Sequence, residues 1–124
     1  MSTVLIVEDN EKNMKLARDV LQAKGYKTLE AVTGEEGVSL AKQHVPDLVL
    51  MDIQLPGING IEAFRQIRAE ASTAKVPVVA LTASVTPTDR SAITAAGFDA
   101  FVSKPINLKE FLDTVKRLVE GAKK

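Results

Sequence analysis

The stretch Val4-Leu5-Ile6-Val7-Glu8-Asp9-Asn10 decides the fold. Its four apolar residues run without alternation, the pattern of a parallel strand covered on both faces. Glu8 and Asp9 stop the run, and Asn10 offers a side chain that caps a following helix. The same grammar recurs along the chain. Leu48-Val49-Leu50-Met51, Val76 to Leu81 and Ala100-Phe101-Val102 are further apolar runs. Lys27 to Ala31 is weaker and carries Lys27 and Glu30, so it reads as an edge strand.

Helical patterns fill the gaps between these runs. Asn10 opens the first helix and Gly25 closes it. Thr33 with Glu36, and Asn59 with Glu62, have the spacing of capping boxes for the second and third. Thr86-Pro87 supplies a cap and a first-turn proline for the fourth, which Gly97 ends. Asn107 with Glu110 opens a fifth, whose Leu108, Phe111, Leu112, Val115, Leu118 and Val119 form a one-sided stripe. Strands alternating with helices predict an α/β fold. Right-handed crossovers favour a flavodoxin-like, doubly wound (βα)5 sandwich with a five-stranded parallel sheet in the order 2-1-3-4-5.

The 124 residues suit one domain, 1–124, with residues 120–124 as a frayed tail and no output domain. Lys and Arg number 16, as do Asp and Glu, so the formal net charge of zero gives no whole-molecule attraction to nucleic acid or anionic lipid. A hydrophobic fraction of 45% and a charged fraction of 26% exclude a disordered or membrane-spanning chain. The absence of Cys removes disulfides, thiolate metal sites and a Cys nucleophile. Met1-Ser2-Thr3 has no basic character and the apolar run after it is short, so no signal peptide is expected and the location is read as cytoplasmic.

Polar residues sit just beyond the strand ends: Glu8 and Asp9 after the first, Asp52 after the third, Thr82 after the fourth, Lys104 after the fifth. Open α/β sheets bind ligands outside the carboxyl ends of their strands, where the strand order reverses. In the favoured order the first and third strands flank that point, so three carboxylates converge there. Like charges so placed oppose ionisation, and Lys104 offsets only one. A hard divalent cation fits a site made of oxygens. Asp52 is the nucleophile that would form an acyl phosphate. Lys104 and a bound Mg²⁺ would neutralise the transferring phosphoryl oxygens, and Thr82 would donate to one of them. Asp9, helped by Glu8 directly or through water, would hold the metal. Singly, each residue has an ordinary explanation. Asp9 suits a helix N-terminus, Thr82 a loop, and Lys104 a surface.

With these residues in place, the sequence resembles the receiver domains of two-component response regulators. The matching elements are Val4 to Asn10, Leu50-Met51-Asp52, Leu55-Pro56-Gly57 through Gly60, Leu81-Thr82-Ala83 and Ser103-Lys104-Pro105. Glu8 to Glu11, Asn13 to Leu16 and Asp52 to Pro56 look most like the single-domain cell-division members of that family. The resemblance implies that Asp52 accepts a phosphoryl group from a sensor histidine kinase or a histidine phosphotransfer protein. It implies Mg²⁺, with Mn²⁺ as an alternative, held by Glu8, Asp9, Asp52 and the backbone carbonyl of Gln54. It assigns Thr82 and Lys104 to the phosphoryl group and expects a cis Lys104-Pro105 bond. Phe101 occupies the switch-aromatic position, and Gln54 and Ser84 occupy positions that influence phosphoryl lifetime. The output would be altered binding of a protein partner on the fourth helix, fifth strand and fifth helix, by a monomer that contacts neither nucleic acid nor membrane. Self-phosphorylation by small phosphodonors and slow self-dephosphorylation are expected, without an enzyme's turnover of external substrate. The initial Met1 makes a free-standing regulator the expectation; a phosphorelay intermediate, or an excised receiver of a hybrid histidine kinase, is the alternative.

Other classes fit less well. A small-molecule phosphohydrolase would need an acid/base Asp two residues after its nucleophile, where this chain has Gln54. A flavin module is disfavoured by the carboxylates and by aromatics at only 4%. No Gly-x-Ser-x-Gly, Walker A or Gly-x-Gly-x-x-Gly motif occurs. His44, the only histidine, is read as a solvated helix end. Lys12, Lys15 and Arg18 read as a solvated face, or else as a docking face for an acidic partner. Met14, Ala17 and Leu21 read as core, and Gly57 and Gly60 as turn residues.

Overall fold

Side chains on a strand alternate between its two faces, so each buried run must feed two cores. The computed structural model describes residues 2–55, 57–82, 87–103 and 107–122, with backbone alone at 87, 89, 90, 121 and 122. Strands and helices alternate: β1 (Thr3–Val7), α1 (Glu11–Ala23), β2 (Lys27–Ala31), α2 (Gly34–His44), β3 (Leu48–Asp52), α3 (Gly60–Ala69), β4 (Val78–Thr82), α4 (Pro87–Ala96), β5 (Ala100–Ser103) and α5 (Leu108–Ala122). All strand pairs are parallel, in the expected order β2-β1-β3-β4-β5.

Val4, Ile6, Leu48, Leu50, Val79, Leu81 and Val102 pack against Met14, Ala17 and Leu21 of α1 and Phe111, Val115 and Val119 of α5. Leu5, Val7, Val49, Met51 and Val78 pack on the opposite side against Val38 and Ala41 of α2 and Ala63, Phe64 and Ile67 of α3. Burying one such side chain contributes about 1.5–3 kcal/mol. Among the described residues β2 pairs only with β1, and it exposes Lys27 and Glu30, as an edge strand should.

The caps form as the spacing requires. Asn10, Thr33, Asn59 and Asn107 accept from the N–H groups of Asn13, Glu36, Glu62 and Glu110. Glu36 reaches back one residue further than a standard capping box, accepting from Val32 N–H at 2.9 Å. Gly25 follows the Lys24 cap and donates to the Gln22 carbonyl. Thr86 lies outside the described residues.

Two boundaries differ from expectation. β4 begins at Val78, not Val76, because Pro77 has no N–H for a ladder and the Val76 N–H is spent on the Thr73 carbonyl. α5 stays helical through Ala122, past the start of the expected loose tail, since Val115 and Val119 anchor its last turns in the core. Residues 123 and 124 lie outside the described residues.

A polar staple fixes the edge of the second core. Asp99 Oδ2 accepts from Val78 N–H at 2.8 Å and from Arg68 Nη2 at 2.7 Å. The Arg68 guanidinium lies 4.9 Å from the centroid of Phe64, which stacks on Phe98.

Candidate functional site

Parallel pairing brings the carboxyl ends of β1, β3 and β4 to one edge of the sheet. Val7 pairs with Met51, Asp52 with Leu81, and Thr82 with Ser103. Glu8 follows β1 and is fixed by its N–H, which donates to the Ala31 carbonyl at 2.9 Å. Ile53, next after Asp52, donates to the Leu81 carbonyl at 3.0 Å. These links make the acidic residues extensions of a rigid sheet.

The structure brings Glu8, Asp9 and Asp52 together, with one carboxylate oxygen from each lying within 4.8 Å of the others. Glu8 is 1% exposed and Asp52 3%, while Asp9 faces solvent. Two unit negative charges at such a distance repel by about 3 kcal/mol at an effective dielectric of about 20. A cation lodged among them converts that repulsion to attraction. Oxygens sharing one Mg²⁺ at about 2.1 Å lie at most about 4.2 Å apart, so small side-chain rotations suffice. The donor set is all oxygen, one side of it open through Asp9, and it fits a hard divalent ion.

Gln54 N–H donates to Asp52 Oδ1 at 3.1 Å, so the loop after β3 grips the carboxylate. Thr82 ends β4 and is 3% exposed. Phe101 pairs with Ala80, two residues before Thr82, so Thr82 and Phe101 belong to the same face of the sheet. Phe101 is half-buried. Lys104, the Lys104-Pro105 bond and Ser84 lie outside the described residues.

Beside the cluster, a cavity of about 620 Å³ is lined by residues that include Glu8, Asp9, Lys12, Lys15, Arg18 and Glu30. Lys12 and Lys15 are exposed there, while Arg18 pairs with Glu30 at 3.1 Å. Met14, Ala17 and Leu21 are core. His44 is the exposed last residue of α2.

Gly60 is a site neighbour that reading it as a turn residue misses. Among the described residues, positive φ occurs at Gly25, Gly57, Gly97 and Val45, and not at Gly60. What holds position 60 to glycine is space: a Cβ there would run into the Asp52 carbonyl oxygen. A glycine directly behind the Asn59 cap, where most residues fit a helix, is the only trace of this in the sequence.

Three comparisons bear on the site. The family model described as response regulator receiver domain matches residues 4–116. The polar-differentiation response regulator DivK of Brucella ovis is 44% identical over 120 residues, 97% of this chain and 98% of that protein. Among solved structures, the receiver domain of a sensor histidine kinase from Pseudomonas aeruginosa PAO1, with a magnesium ion coordinated in its active site cleft, is 32% identical. It superposes with a TM-score of 0.90 over 96% of this chain and 98% of that one. The chemotaxis protein CheY4 of Vibrio cholerae is 26% identical, with a TM-score of 0.89 over 95% and 98%.

Proposed function

We propose a phosphoacceptor role, centred on Asp52, for this chain, which belongs to the response regulator receiver domain family. The observation that carries the assignment of residues is the convergence of Glu8, Asp9 and Asp52 at the ends of β1 and β3. In the reaction, an Asp52 carboxylate oxygen attacks phosphorus. The P–N bond of a phosphohistidine breaks, an O–P bond forms, and the electron pair returns to the imidazole, which takes up a proton. Bound Mg²⁺ supplies charge neutralisation at the phosphoryl oxygens. Glu8, Asp9, Asp52 and the Gln54 carbonyl would hold it.

Burial keeps Asp52 out of bulk water, and the Gln54 N–H holds one of its oxygens in place. On this reading the Thr82 hydroxyl donates to the adduct and the Lys104 ammonium, which the family resemblance assigns to the same group, would pair with it. On the same reading Gln54 and Ser84 would influence the access of hydrolytic water. Thr82 and Phe101 share a sheet face, which supports a switch in which the hydroxyl moves toward the phosphoryl group and the ring follows. The two states then differ by only a few kcal/mol, as any usable switch requires. Output is altered protein binding on the α4–β5–α5 surface.

Likeness to DivK, a polar-differentiation response regulator matched over 98% of its length, supports a free-standing receiver, and a monomer acting in the cytoplasm in a cell-cycle setting completes this reading. The described residues contain no helix long and apolar enough to cross a membrane. Phosphotransfer profiling against the host's histidine kinases tests the reading. One kinase is expected to label Asp52 far faster than the rest, with the label mapped to the peptide containing that residue. Label mapped elsewhere, or none from any kinase, overturns it.

A further inference from the structure

We propose that Gly60 is a positioning residue for phosphoryl acceptance: its bare Cα lets the first turn of α3 rest on the Asp52–Ile53 peptide and so sets where the Asp52 carboxylate sits. The inference rests on the phosphoacceptor reading and extends it to a residue that touches neither metal nor phosphoryl group.

The contact is between backbones. A Cβ at position 60 would overlap the Asp52 carbonyl oxygen, and would lie 2.8 Å from Ile53 Cα and 2.9 Å from the Asp52 carbonyl carbon. None of these atoms can swing aside as the end of a side chain can. The Gly60 N–H also donates to the Ile53 carbonyl at 3.0 Å. The same short segment donates from Gln54 to the Asp52 carboxylate and from Ile53 to β4. A methyl group on Gly60 must therefore part α3 from the segment that orients Asp52. Glu8 and Asp9 hang from β1 and would not follow, so the three carboxylates would lose their common focus.

The segment is confined from the other side too. A Cβ at Gly34, in the first turn of α2, would lie 2.8 Å from the Ile58 carbonyl oxygen. With α2 behind it, the segment has little room to retreat from a bulkier residue 60. Misplacing a reacting group by about 1 Å costs on the order of a hundredfold in rate.

The test compares Gly60→Ala with Gly25→Ala and wild type in the full chain. Gly25 has φ +89 with nothing near its missing Cβ, so alanine there strains the backbone between α1 and β2, away from the carboxylates. Mg²⁺ affinity is measured by calorimetry, melting temperature without Mg²⁺ by circular dichroism, and labelling by acetyl phosphate at saturating Mg²⁺. Gly60→Ala is expected to weaken Mg²⁺ binding by about tenfold or more and to slow labelling, while Gly25→Ala lowers the melting temperature and leaves Mg²⁺ affinity within about twofold. A folded Gly60→Ala with wild-type Mg²⁺ affinity and labelling overturns the inference and leaves the phosphoacceptor reading intact. Wild type that neither binds Mg²⁺ nor takes label overturns both. Should Gly60→Ala fail to fold, Gly34→Ala presses on the same segment at Ile58. Weakened Mg²⁺ binding in that variant supports the inference, and unchanged binding overturns it.

Discussion

The main-chain N–H of Gln54 donates to Oδ1 of Asp52 across 3.1 Å, two residues along the chain. The grip on the phosphoacceptor is thus made by backbone, and the Gln54 side chain is left to other work. Gln54→Ala should therefore keep Mg²⁺ affinity within about twofold of wild type. It should change the half-life of the phosphorylated protein if the proposed influence of residue 54 on attacking water holds. Calorimetry and a decay time course separate the two effects.

Asp9 is the exposed member of a crowded trio. Asp9→Asn removes a like charge, so without Mg²⁺ the variant should melt no lower than wild type. With Mg²⁺ present the order should reverse, since ligand binding stabilises the folded state by an amount that grows with the logarithm of affinity. The Mg²⁺ dissociation constant should rise by about tenfold or more. Thermal melts with and without Mg²⁺ check the crossing. Equal Mg²⁺-induced shifts in both proteins would remove Asp9 from the metal site.

Those expectations show how far the sequence reaches. The buried runs of β1 and β3 and the Asn10, Thr33 and Asn59 caps are legible because each depends on neighbours a few residues away. The site is legible because strand ends fall together in this topology, so Glu8 and Asp52 are placed as soon as the strand order is. The start of β4 is less legible, since Val76 is as apolar as Val78 and only the missing N–H of Pro77 and the Val76 N–H bond to the Thr73 carbonyl decide between them. Gly60 reads as a turn residue in sequence because its constraint is a close approach between α3 and the end of β3, which no local pattern records. The helical end of α5 depends likewise on what Val119 packs against.

Tyr26 carries a pH dependence. Partial burial, and secondarily the Glu120 carboxylate, push its phenol above the usual value of 10.0. The unfolded chain then releases this proton first as pH rises, so the folded state binds more protons through that window. Stability from this group is complete below the unfolded value and is lost as pH climbs from 10.0 through the raised one. As the only tyrosine in a chain without tryptophan, Tyr26 gives a clean ultraviolet titration. Its midpoint should exceed that of the denatured protein. Glu120→Gln should lower it only part of the way, because burial is the larger cause. A native midpoint equal to the denatured one would contradict this.

The most direct measurement is labelling of wild type and Asp52→Asn by acetyl phosphate, with Mg²⁺ and then with the metal chelated, followed by mass spectrometry of the intact protein and its peptides. The amide keeps the shape of the carboxylate but is a poor nucleophile and carries no charge. Wild type should gain one phosphoryl group, on the peptide containing Asp52 and only when Mg²⁺ is present, and Asp52→Asn should gain none. Labelling of the asparagine variant at the wild-type rate, or labelling of wild type that ignores chelation, would contradict an acceptor site built from Glu8, Asp9 and Asp52.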